Sequence, residues 1–277
     1  MKNPLLEGLS DTVRTALSED IGSGDITAEL IPADHQAKAH ILCRDQAVLC
    51  GEFWVNEVFQ QIDSSVTLRW QHHDGDVINP DDVIASASGN ARSLLTAERT
   101  ALNFLQTLSS VASSASLIAE QVKHTGVKIL DTRKTIPGLR LAQKYAVQSG
   151  GCYNHRIGLF DAYLIKENHI NACGGISLAI ASARSMHPDK PVEIEVETIG
   201  QLHEALAAKA DIVMLDNFSL EQLREGVAIA DGKVKLEASG GYDIDSIVAV
   251  AETGVDYISI GSLTKNVIAT DFSMLFD

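Results

Sequence analysis

The second half of the chain alternates short apolar runs with amphipathic segments. The apolar runs are VKILDT (127–132), AYLIKE (162–167), VEIEVE (192–197), DIVMLD (211–216), VKLEAS (234–239) and VDYISIG (255–261). Helical patterns separate most of these runs, and strand–helix alternation at this pitch predicts βαβ units around a parallel sheet. Six strands are visible where a complete (β/α)₈ barrel has eight. The pattern therefore allows an incomplete or open barrel, or a doubly wound sheet.

The first 110 residues have a less regular pattern. Leu6, Leu9, Val13 and Leu17 recur at helical spacing, and GSGD ends that helix. Strand-like alternation then surrounds one helical stretch, FWVNEVFQQI, and a long helical region follows over residues 93–123, with a break allowed near its Ser-Ser pair at 109–110. Strands without regular intervening helices predict an α+β layer that is distinct from the second half.

The chain is acidic overall but basic in one segment. Its 277 residues carry a net charge of −15, whereas residues 131–169 carry six Lys or Arg against three Asp or Glu. An acidic protein is poorly suited to a nucleic-acid backbone, so we expect no nucleic-acid partner. The basic segment either lies at the surface without a binding role or forms part of a site for an anion.

Composition also excludes several other classes of protein. No apolar run approaches the ~20 residues of a membrane span, and the start MKNPLLEGLSDTV lacks the apolar region of a signal peptide. The four cysteines form no C-x-x-C pair, so metal or disulfide use is not indicated. We expect a cytoplasmic protein with reduced thiols and no membrane partner.

Polar side chains stand at or just past the carboxyl ends of the predicted strands. They are Arg133, Lys166, Glu195 (or Glu197), Asp216, Ser239 and Gly261. Ligands bind at this edge of parallel α/β folds, and charged residues within strands are rare unless they are paired. We therefore expect Lys166, Glu195 and Asp216 to share one polar space. The alternative is that they are structural ion pairs at the mouth of a barrel.

Further cations and glycines flank the same edge. The pairs Arg133–Lys134 and His155–Arg156 come from different loops, which suits a small ligand with two or more anionic groups. The glycines of ASGG (238–241) and IGS (260–262) predict loops whose backbone approaches a phosphate at the start of a helix. Arg140 and Lys144, on a predicted helix, are expected at the solvent surface.

The carboxylates of Glu195 and Asp216 would repel an anion bound beside them, so a compensating positive charge is expected there. One source is a divalent metal that bridges them to a pyrophosphate, and another is a positive charge that develops on a sugar ring. The Walker pattern is absent and no G-x-G-x-x-G follows a strand, so neither a P-loop nor a standard dinucleotide site is indicated.

Eight segments, in order, resemble the quinolinate phosphoribosyltransferase family. They are GSGDIT, ERTALNFLQ, DTRKTIPGLR, NHRIGLFDAYLIKENHI, EIEVET, MLDNF, EASGG and YISIGSLT. The match spans essentially the whole chain, and the long NHRIGL…LIKENH run is highly specific. The resemblance implies an α/β protein with an N-terminal α/β sandwich domain (1–110, with 266–277 packing on it) and an open six-stranded parallel α/β barrel (111–265). It also implies a homodimer with shared active sites, with a hexamer as the alternative assembly.

The resemblance also implies a role for individual residues. The quinolinate-binding group would be Thr132, Arg133, Lys134, His155 and Arg156. Lys166 resembles the lysine between quinolinate and 5-phosphoribosyl 1-pyrophosphate. Glu195 and Asp216 resemble the acids beside the ribose, which would contact Mg²⁺ only indirectly, through the pyrophosphate.

Two loops and one distant arginine complete the implied site. The phosphate would lie against Ser239, Gly240, Gly241, Ile260, Gly261 and Ser262. Arg99, in ERTALNF, resembles an arginine that inserts into the neighbouring subunit's active site. Cys152 and Tyr153 depart from the family, which usually has small residues before Asn-His-Arg. They either narrow the site or pack outside it.

The implied reaction transfers phosphoribosyl to quinolinate with loss of CO₂ and gives nicotinate mononucleotide and pyrophosphate, a step of NAD biosynthesis. Three alternatives stay open on the sequence alone. The first is a related phosphoribosyltransferase that uses another aromatic acid. The second is a barrel lyase that forms a Schiff base on Lys166. The third is a metabolite-binding module without catalytic activity.

Overall fold

The computed structural model describes residues 3–277. Its N-terminal part contains short 3₁₀ turns at Pro4–Leu6 and Ala28–Leu30. The helices and strands of this part are α1 (Leu9–Ile21), β1 (Gln36–Cys43), β2 (Ala47–Val48), α2 (Glu52–Ile62), β3 (Thr67–Trp70), β4 (Val77–Ile78), β5 (Val83–Asn90) and α3 (Ala91–Val122). All of these strands and helices were predicted from the sequence pattern.

The rest of the chain follows the predicted alternation. Its elements are β6 (Lys128–Leu130), α4 (Arg140–Ser149), β7 (Tyr163–Ile165), α5 (Glu167–Cys173), α6 (Ile176–Met186), β8 (Val192–Val196), α7 (Ile199–Ala207), β9 (Ile212–Asp216), α8 (Leu220–Ala230), β10 (Lys235–Ser239), α9 (Ile247–Ala251), β11 (Tyr257–Ser259), α10 (Ser262–Lys265) and β12 (Phe272–Phe276). All six strands predicted for this half are confirmed.

Two helices differ from the prediction. Helix α5 has no apolar periodicity and was not predicted. The sequence DIDSIVAVAE (243–252) predicts a helix, but α9 begins only at Ile247, because Asp243 and Ser246 bind each other first. The Asp243 carboxylate accepts hydrogen bonds from the Ser246 backbone N–H (3.0 Å) and hydroxyl (2.7 Å). Such side-chain bonds favour a turn over a helix.

The chain divides into two compact units. The first consists of the described residues up to Ser116, Thr135–Gly151 and Leu263–Asp277, and the second of Leu117–Lys134 and Cys152–Ser262. Helix α4, which lies within the span expected for the barrel, belongs to the first unit. Its Tyr145 explains this placement, because the ring packs 5.3 Å from that of Trp54 and the hydroxyl donates to Asp74 (2.9 Å).

The first unit is built on an antiparallel sheet with the strand order β12-β1-β5-β3. The C-terminal strand β12 pairs with β1, with Ala39 opposite Phe276. Strand β1 buries Ala39, Ile41 and Cys43 while the residues between them are half-exposed. This period of two is the pattern of a strand with one face in the core.

Helix α3 is continuous, so the break allowed near Ser109 and Ser110 does not occur. The Ser109 hydroxyl accepts from the Cys50 backbone N–H (3.0 Å) and donates to its carbonyl (3.2 Å). The Ser110 hydroxyl accepts from the Ile268 backbone N–H (3.1 Å). Because these hydroxyls have partners in neighbouring segments, they do not compete for the helix backbone.

The expectation that Arg140 and Lys144 lie at the solvent surface is wrong. Lys144 is completely buried and Arg140 is half-buried. Helix α4 buries residues around most of its circumference, including Ala142, Gln143 and Val147 as well as Lys144. The charged residues of α4 therefore do not lie on a solvent-exposed face of the helix, although the sequence pattern predicted one.

The second unit is an open barrel of six parallel strands. Their order is β6-β11-β10-β9-β8-β7, and every pair is parallel. From β7 to β11 each strand pairs with the next one in the chain, and β6 pairs with β11. The opening of the barrel therefore lies between β6 and β7, which are its two edges. A doubly wound sheet would reverse its order at a switch point, so the barrel alternative is confirmed.

Two expectations drawn from composition concern membrane-spanning helices and the state of the cysteines. Over residues 3–277, none of the helices combines the length and the apolar character that crossing a membrane requires. The cysteines are all free thiols: Cys43, Cys50 and Cys152 are buried, and Cys173 is exposed.

The contact between α4 and α3 predicts that Gly150 cannot be enlarged. A Cβ atom at Gly150 would lie 2.2 Å from the Ala112 carbonyl oxygen. We expect Gly150→Ala to lower the free energy of unfolding by about 1–3 kcal/mol, as overpacking does. Gly126→Ala is the matched control, because nothing lies within 4 Å of that position. Equal denaturant midpoints for the two variants would contradict the prediction.

Candidate active site

A cavity of about 320 Å³ opens at the carboxyl ends of the barrel strands. It is lined by Thr132, Arg133, Lys134, His155, Arg156, Leu164, Lys166, Met214, Glu237, Ser239 and Ser259. Four of these side chains are Arg or Lys, and they come from the loop after β6, the segment before β7 and the end of β7. The structure therefore gathers the predicted cations in one place.

The remaining predicted residues have different positions. Glu195 lies on β8 and forms a close ion pair with Lys166. Asp216 ends β9, Gly240 and Gly241 follow β10, and Ile260–Ser262 follow β11. Arg99 is exposed on α3, in the first unit, and is not among the cavity residues.

Four residues of the cavity lining and one buried acid next to it were not predicted from the sequence. Leu164, Met214, Glu237 and Ser259 each lie two positions before a residue that was predicted, and Glu193 stands in the same relation to Glu195. Alternate residues of a strand share a face, so each missed residue lies one layer deeper on the inner side of the barrel. The period of two was the available signal.

The loop after β6 places Thr132 and Lys134. The Thr132 hydroxyl accepts a hydrogen bond from the Lys134 backbone N–H (3.1 Å). Gly261 leaves room for the lysine side chain, since a Cβ there would lie 2.8 Å from Lys134 Cδ. The Ile260 backbone N–H donates to the Leu130 carbonyl (2.9 Å), which joins the end of β11 to β6. These contacts explain why a glycine follows the last barrel strand.

Two carboxylates shape the segment that carries His155 and Arg156. Buried Asp131 accepts from the Asn154 side-chain amide (2.6 Å) and from the His155 backbone N–H (2.9 Å). Asp161 accepts from the backbone N–H groups of residues 157 (2.7 Å) and 158 (2.9 Å). Although burial acts in the opposite direction, these bonds and the nearby Arg156 lower the pKa of Asp161.

The two arginines of the cavity repel each other. Arg156 is half-buried, and its Nη1 donates to the Ala162 carbonyl (3.2 Å). Burial lowers the pKa of Arg156, and the charge of Arg133 lowers it further. An anion placed between the guanidinium groups would relieve this repulsion, and a carboxylate matches their geometry.

The ion pair between Lys166 and Glu195 partly supports the structural alternative raised by the sequence. Lys166 remains half-exposed, however, and it lines the cavity. Asp216 does not join the pair. It accepts from the side-chain amide of Asn217 (2.9 Å), whose φ of 55° is left-handed. One acid is thus paired with a cation at the mouth, and the other accepts a hydrogen bond from an amide.

Beneath the cations lies a buried cluster of His155, Glu193 and Glu237. Nε2 of His155 is 3.0 Å from Glu193 and 3.4 Å from Glu237. Burial alone would lower the pKa of His155, but hydrogen bonds to the two carboxylates and their charges raise it. Within residues 3–277, these are the three residues whose ligand atoms lie close enough together to hold a metal, and one oxygen of Glu193 and both oxygens of Glu237 are buried without a hydrogen-bond partner.

The two residues that depart from the family do not line the cavity. Cys152 is buried, and the ring of Tyr153 lies beneath Lys128, with Nζ 5.0 Å from the ring centroid. The Tyr153 backbone bonds to the edge of β6, donating to Ile129 (2.8 Å) and accepting from Asp131 (3.0 Å). Of the two possibilities left open, these residues pack outside the site.

The fold and the cavity together define a class of protein. Two arginines and two lysines line one small cavity of an open α/β barrel, beside strand ends that contain Ser and Gly. This arrangement suits a small substrate with several anionic groups.

Comparison with known proteins identifies the family. Residues 25–109 match the family description "Quinolinate phosphoribosyl transferase, N-terminal domain", and residues 111–275 match "Quinolinate phosphoribosyl transferase, C-terminal domain". The chain belongs to the quinolinate phosphoribosyl transferase family, a family of enzymes.

Relatives with names and structures agree with this assignment. The "Probable nicotinate-nucleotide pyrophosphorylase (carboxylating)" of Bacillus subtilis (strain 168) is 41% identical over 257 residues, 92% of this chain and 89% of the relative. "Quinolinate phosphoribosyltransferase (decarboxylating) 1b" of Nicotiana tabacum is 37% identical over 97% of this chain and 82% of its own. The solved nicotinate-nucleotide pyrophosphorylase of Francisella tularensis superposes with a TM-score of 0.96 at 49% identity, covering 100% of this chain and 98% of that one.

Proposed function

We propose that this enzyme transfers the phosphoribosyl group of 5-phosphoribosyl 1-pyrophosphate to quinolinate with decarboxylation. The products are nicotinate mononucleotide, pyrophosphate and CO₂. One observation carries the proposal: Arg133, Lys134, Arg156 and Lys166 converge on one cavity of about 320 Å³. Membership of the family and the names of the relatives support the same reaction.

Quinolinate suits the cationic half of the cavity. It has two adjacent carboxylates and a ring nitrogen that is a poor nucleophile. The guanidinium groups of Arg133 and Arg156 hold the carboxylates, and this contact relieves the repulsion between the two arginines. Binding also aims the ring nitrogen at the sugar carbon. Positioning of this kind lowers barriers by roughly 7–11 kcal/mol in favourable cases.

The ribose and its phosphates occupy the other half. Lys166, at the end of β7, lies between the two substrates. Ser239, Gly240 and Gly241 follow one strand and Gly261 and Ser262 follow the next, where their backbone N–H groups can bind phosphate oxygens. The predicted contribution of a helix dipole is small, because residues 242–246 separate the first loop from α9, and α10 has only four residues.

Glu195 and Asp216 act on the charge that develops during transfer. Departure of pyrophosphate leaves oxocarbenium character on the ribose, and two fixed carboxylates at the ends of neighbouring strands stabilise it. The ring nitrogen becomes cationic once it is ribosylated. That positive charge stabilises the carbanion left when the 2-carboxylate leaves as CO₂.

Mg²⁺ is part of the proposal and enters with the pyrophosphate. The described residues around Glu195 and Asp216 do not form a set of three protein ligands, so the substrate's own oxygens would supply most of the coordination. An ion bound there would supply positive charge that offsets the negative charge of the leaving group. The two carboxylates then influence the metal only through the pyrophosphate.

Among the alternatives, a phosphoribosyltransferase that acts on another aromatic acid is the nearest. The paired cations favour an acid with two carboxylates over one with a single carboxylate. A Schiff-base lyase fits less well. The Lys166 side chain forms an ion pair with Glu195, whereas a Schiff-base lysine must present its amine to a carbonyl carbon.

The direct experiment mixes the pure protein with quinolinate, 5-phosphoribosyl 1-pyrophosphate and Mg²⁺ and follows the release of CO₂ and pyrophosphate. We expect equal amounts of both products and none when either substrate is omitted. Turnover with nicotinate but not with quinolinate would point to the related transferase. Binding of quinolinate without turnover would point to a binding module.

We further propose that the enzyme acts as a homodimer in the cytoplasm, with a hexamer as the alternative assembly. Free thiols fit a reducing compartment. Arg99 is exposed on α3, and no carboxylate stands four residues before or after it, since those residues are Leu95 and Asn103. It is thus available to the partner subunit's active site.

The clamp formed by Arg133 and Arg156 predicts a loss of quinolinate affinity. We expect Arg→Ala at either position to weaken binding about tenfold to a hundredfold, since one charge-assisted hydrogen bond contributes ~1.5–3 kcal/mol. Arg→Lys should restore only part of the affinity, because the fork is lost. Titration calorimetry measures this, with Arg224→Ala, on the exposed face of α8, as the control. Unchanged affinity in both alanine variants rules the clamp out.

Glu195 and Asp216 are expected to act in catalysis and not in quinolinate binding. The variants Glu195→Gln and Asp216→Asn keep the shape and remove the charge. We expect quinolinate to bind as before and kcat to fall about 10²–10³-fold, the effect of removing one well-placed electrostatic group. Glu221→Gln, on the surface of α8, is the control. Wild-type kcat in both variants would remove the two carboxylates from the mechanism.

Complementation tests the proposed role of Arg99. Arg99→Ala and Lys166→Ala should each be inactive alone. After subunit exchange, a mixed dimer has one site with both defects and one with neither, so about half of its sites should recover activity by twofold symmetry. Exchange is verified by mass spectrometry of tagged subunits. If exchange is complete and activity does not return, Arg99 does not act across the interface.

A further inference from the structure

Arg156 lies in a segment of the chain that has no regular secondary structure. Residues 154–162 connect the bridge formed by Tyr153 to the start of β7, and they contain neither helix nor strand. The backbone groups of such a segment have no ladder of hydrogen bonds, so other partners must hold them. The position of the Arg156 side chain therefore depends on the contacts that hold this segment.

Asp161 closes the segment into a compact loop. Its Oδ2 accepts a hydrogen bond from the Ile157 backbone N–H (2.7 Å), and its Oδ1 accepts one from the Gly158 backbone N–H (2.9 Å). These two residues directly follow Arg156, so the carboxylate fixes the backbone that leads away from the arginine. The arrangement needs two acceptor oxygens, which an aspartate has and an asparagine does not.

The same loop also holds the guanidinium group. Nη1 of Arg156 donates to the carbonyl of Ala162 (3.2 Å), which is the residue after Asp161. Asp161 is thus next to the carbonyl that the arginine side chain contacts, and it binds the backbone next to the arginine itself. Loss of its two hydrogen bonds would release both of these supports of Arg156 together.

The other end of the segment is held by a different acid. Asp131 accepts from the Asn154 side-chain amide (2.6 Å) and from the His155 backbone N–H (2.9 Å), and it is completely buried. Asp161 is half-buried instead. A substitution at position 161 can therefore change the loop without opening the core of the barrel.

The charge of Asp161 does not explain why an acid occupies this position. Within residues 3–277 its carboxylate forms no ion pair, although its charge acts on the nearby Arg156. A negative charge beside a cationic cavity opposes the binding of an anion. The charge and the hydrogen bonds of Asp161 thus affect anion binding in opposite directions, and an experiment can separate them by the sign of the effect.

We propose that Asp161 is a positioning residue for quinolinate binding, which holds Arg156 in the cavity by closing residues 157–162 into a loop. It does this without contacting the ligand. The inference rests on the proposed function for the identity of the ligand, but the hydrogen bonds that carry it are a property of the protein without ligand.

The first test measures the loop in the absence of ligand. Backbone amide hydrogen exchange is followed residue by residue by NMR in the wild type and in Asp161→Asn. We expect the Ile157 and Gly158 amides to exchange about tenfold faster in the variant, because the asparagine can accept only one of the two bonds. Asp189→Asn, in the exposed turn before β8, is the matched control and should leave both rates unchanged. Unchanged rates in Asp161→Asn would overturn the proposal, whether or not the enzyme turns over quinolinate.

The second test is a double-mutant cycle with Arg156, measured by titration calorimetry with quinolinate. We expect Asp161→Asn to weaken binding roughly fivefold to tenfold, although the substitution removes a negative charge from the neighbourhood of the cavity. In the Arg156→Ala background, the same substitution should change the affinity by less than about twofold. The residue through which Asp161 acts is then absent, so the two effects are not additive.

The outcomes of the cycle distinguish three roles of Asp161. Tighter binding by Asp161→Asn would mean that only its charge acts on the ligand. An equal loss of affinity with and without Arg156 would mean that Asp161 supports the fold in general and not this arginine. Either result contradicts the proposal, whereas a loss that depends on Arg156 supports it.

A second variant covers the case in which Asp161→Asn does not fold. Asp161→Glu keeps the charge but moves the two oxygens by one methylene group, so it should also weaken quinolinate binding, and wild-type affinity would contradict the proposal. If the wild-type protein does not bind quinolinate, the proposed function fails. The exchange rates of Ile157 and Gly158 then still decide whether Asp161 holds the loop.

Discussion

The repulsion between like charges at one end of the barrel is the constraint on which the site depends. The pKa of Arg156 is lowered by burial and by the charge of Arg133, and Lys134 and Lys166 line the same cavity. The protein tolerates this arrangement because carboxylates surround it: Asp131 and Asp161 hold the loop, and Glu195 pairs with Lys166. An anion that binds in the cavity adds compensation for this positive charge.

The barrel makes that convergence possible. Parallel strands bring all their carboxyl ends to one rim, so residues that are far apart in sequence become neighbours with little dependence on loop conformation. Lys166, Glu195, Asp216 and Ser239 occupy successive strand ends in this way. The layer below them is also polar, and its two buried acids, Glu193 and Glu237, lie 3.0 and 3.4 Å from Nε2 of His155.

Much of this organisation could be predicted from the sequence, because its causes are local. The six strands follow from β-rich runs at regular spacing, and the cations were found because charged residues at strand ends are rare. What the sequence could not give depends on long-range contacts. Lys144 has the local pattern of a surface residue, yet its helix is buried on most sides. Glu193 and Glu237 look like solvent-facing alternation in a strand, and only closure of the barrel shows that their side points inward. Helix α9 starts late because one aspartate and one serine bind each other.

The central claim is that the cavity is built for two adjacent negative charges. Titration calorimetry of the ligand-free protein with quinolinate and with nicotinate, which has one carboxylate fewer, tests it most directly. The account predicts that quinolinate binds at least about tenfold more tightly, since the second carboxylate adds charge-assisted hydrogen bonds of ~1.5–3 kcal/mol each. It also predicts that this preference weakens as salt is raised. Equal affinity for the two acids would contradict the account.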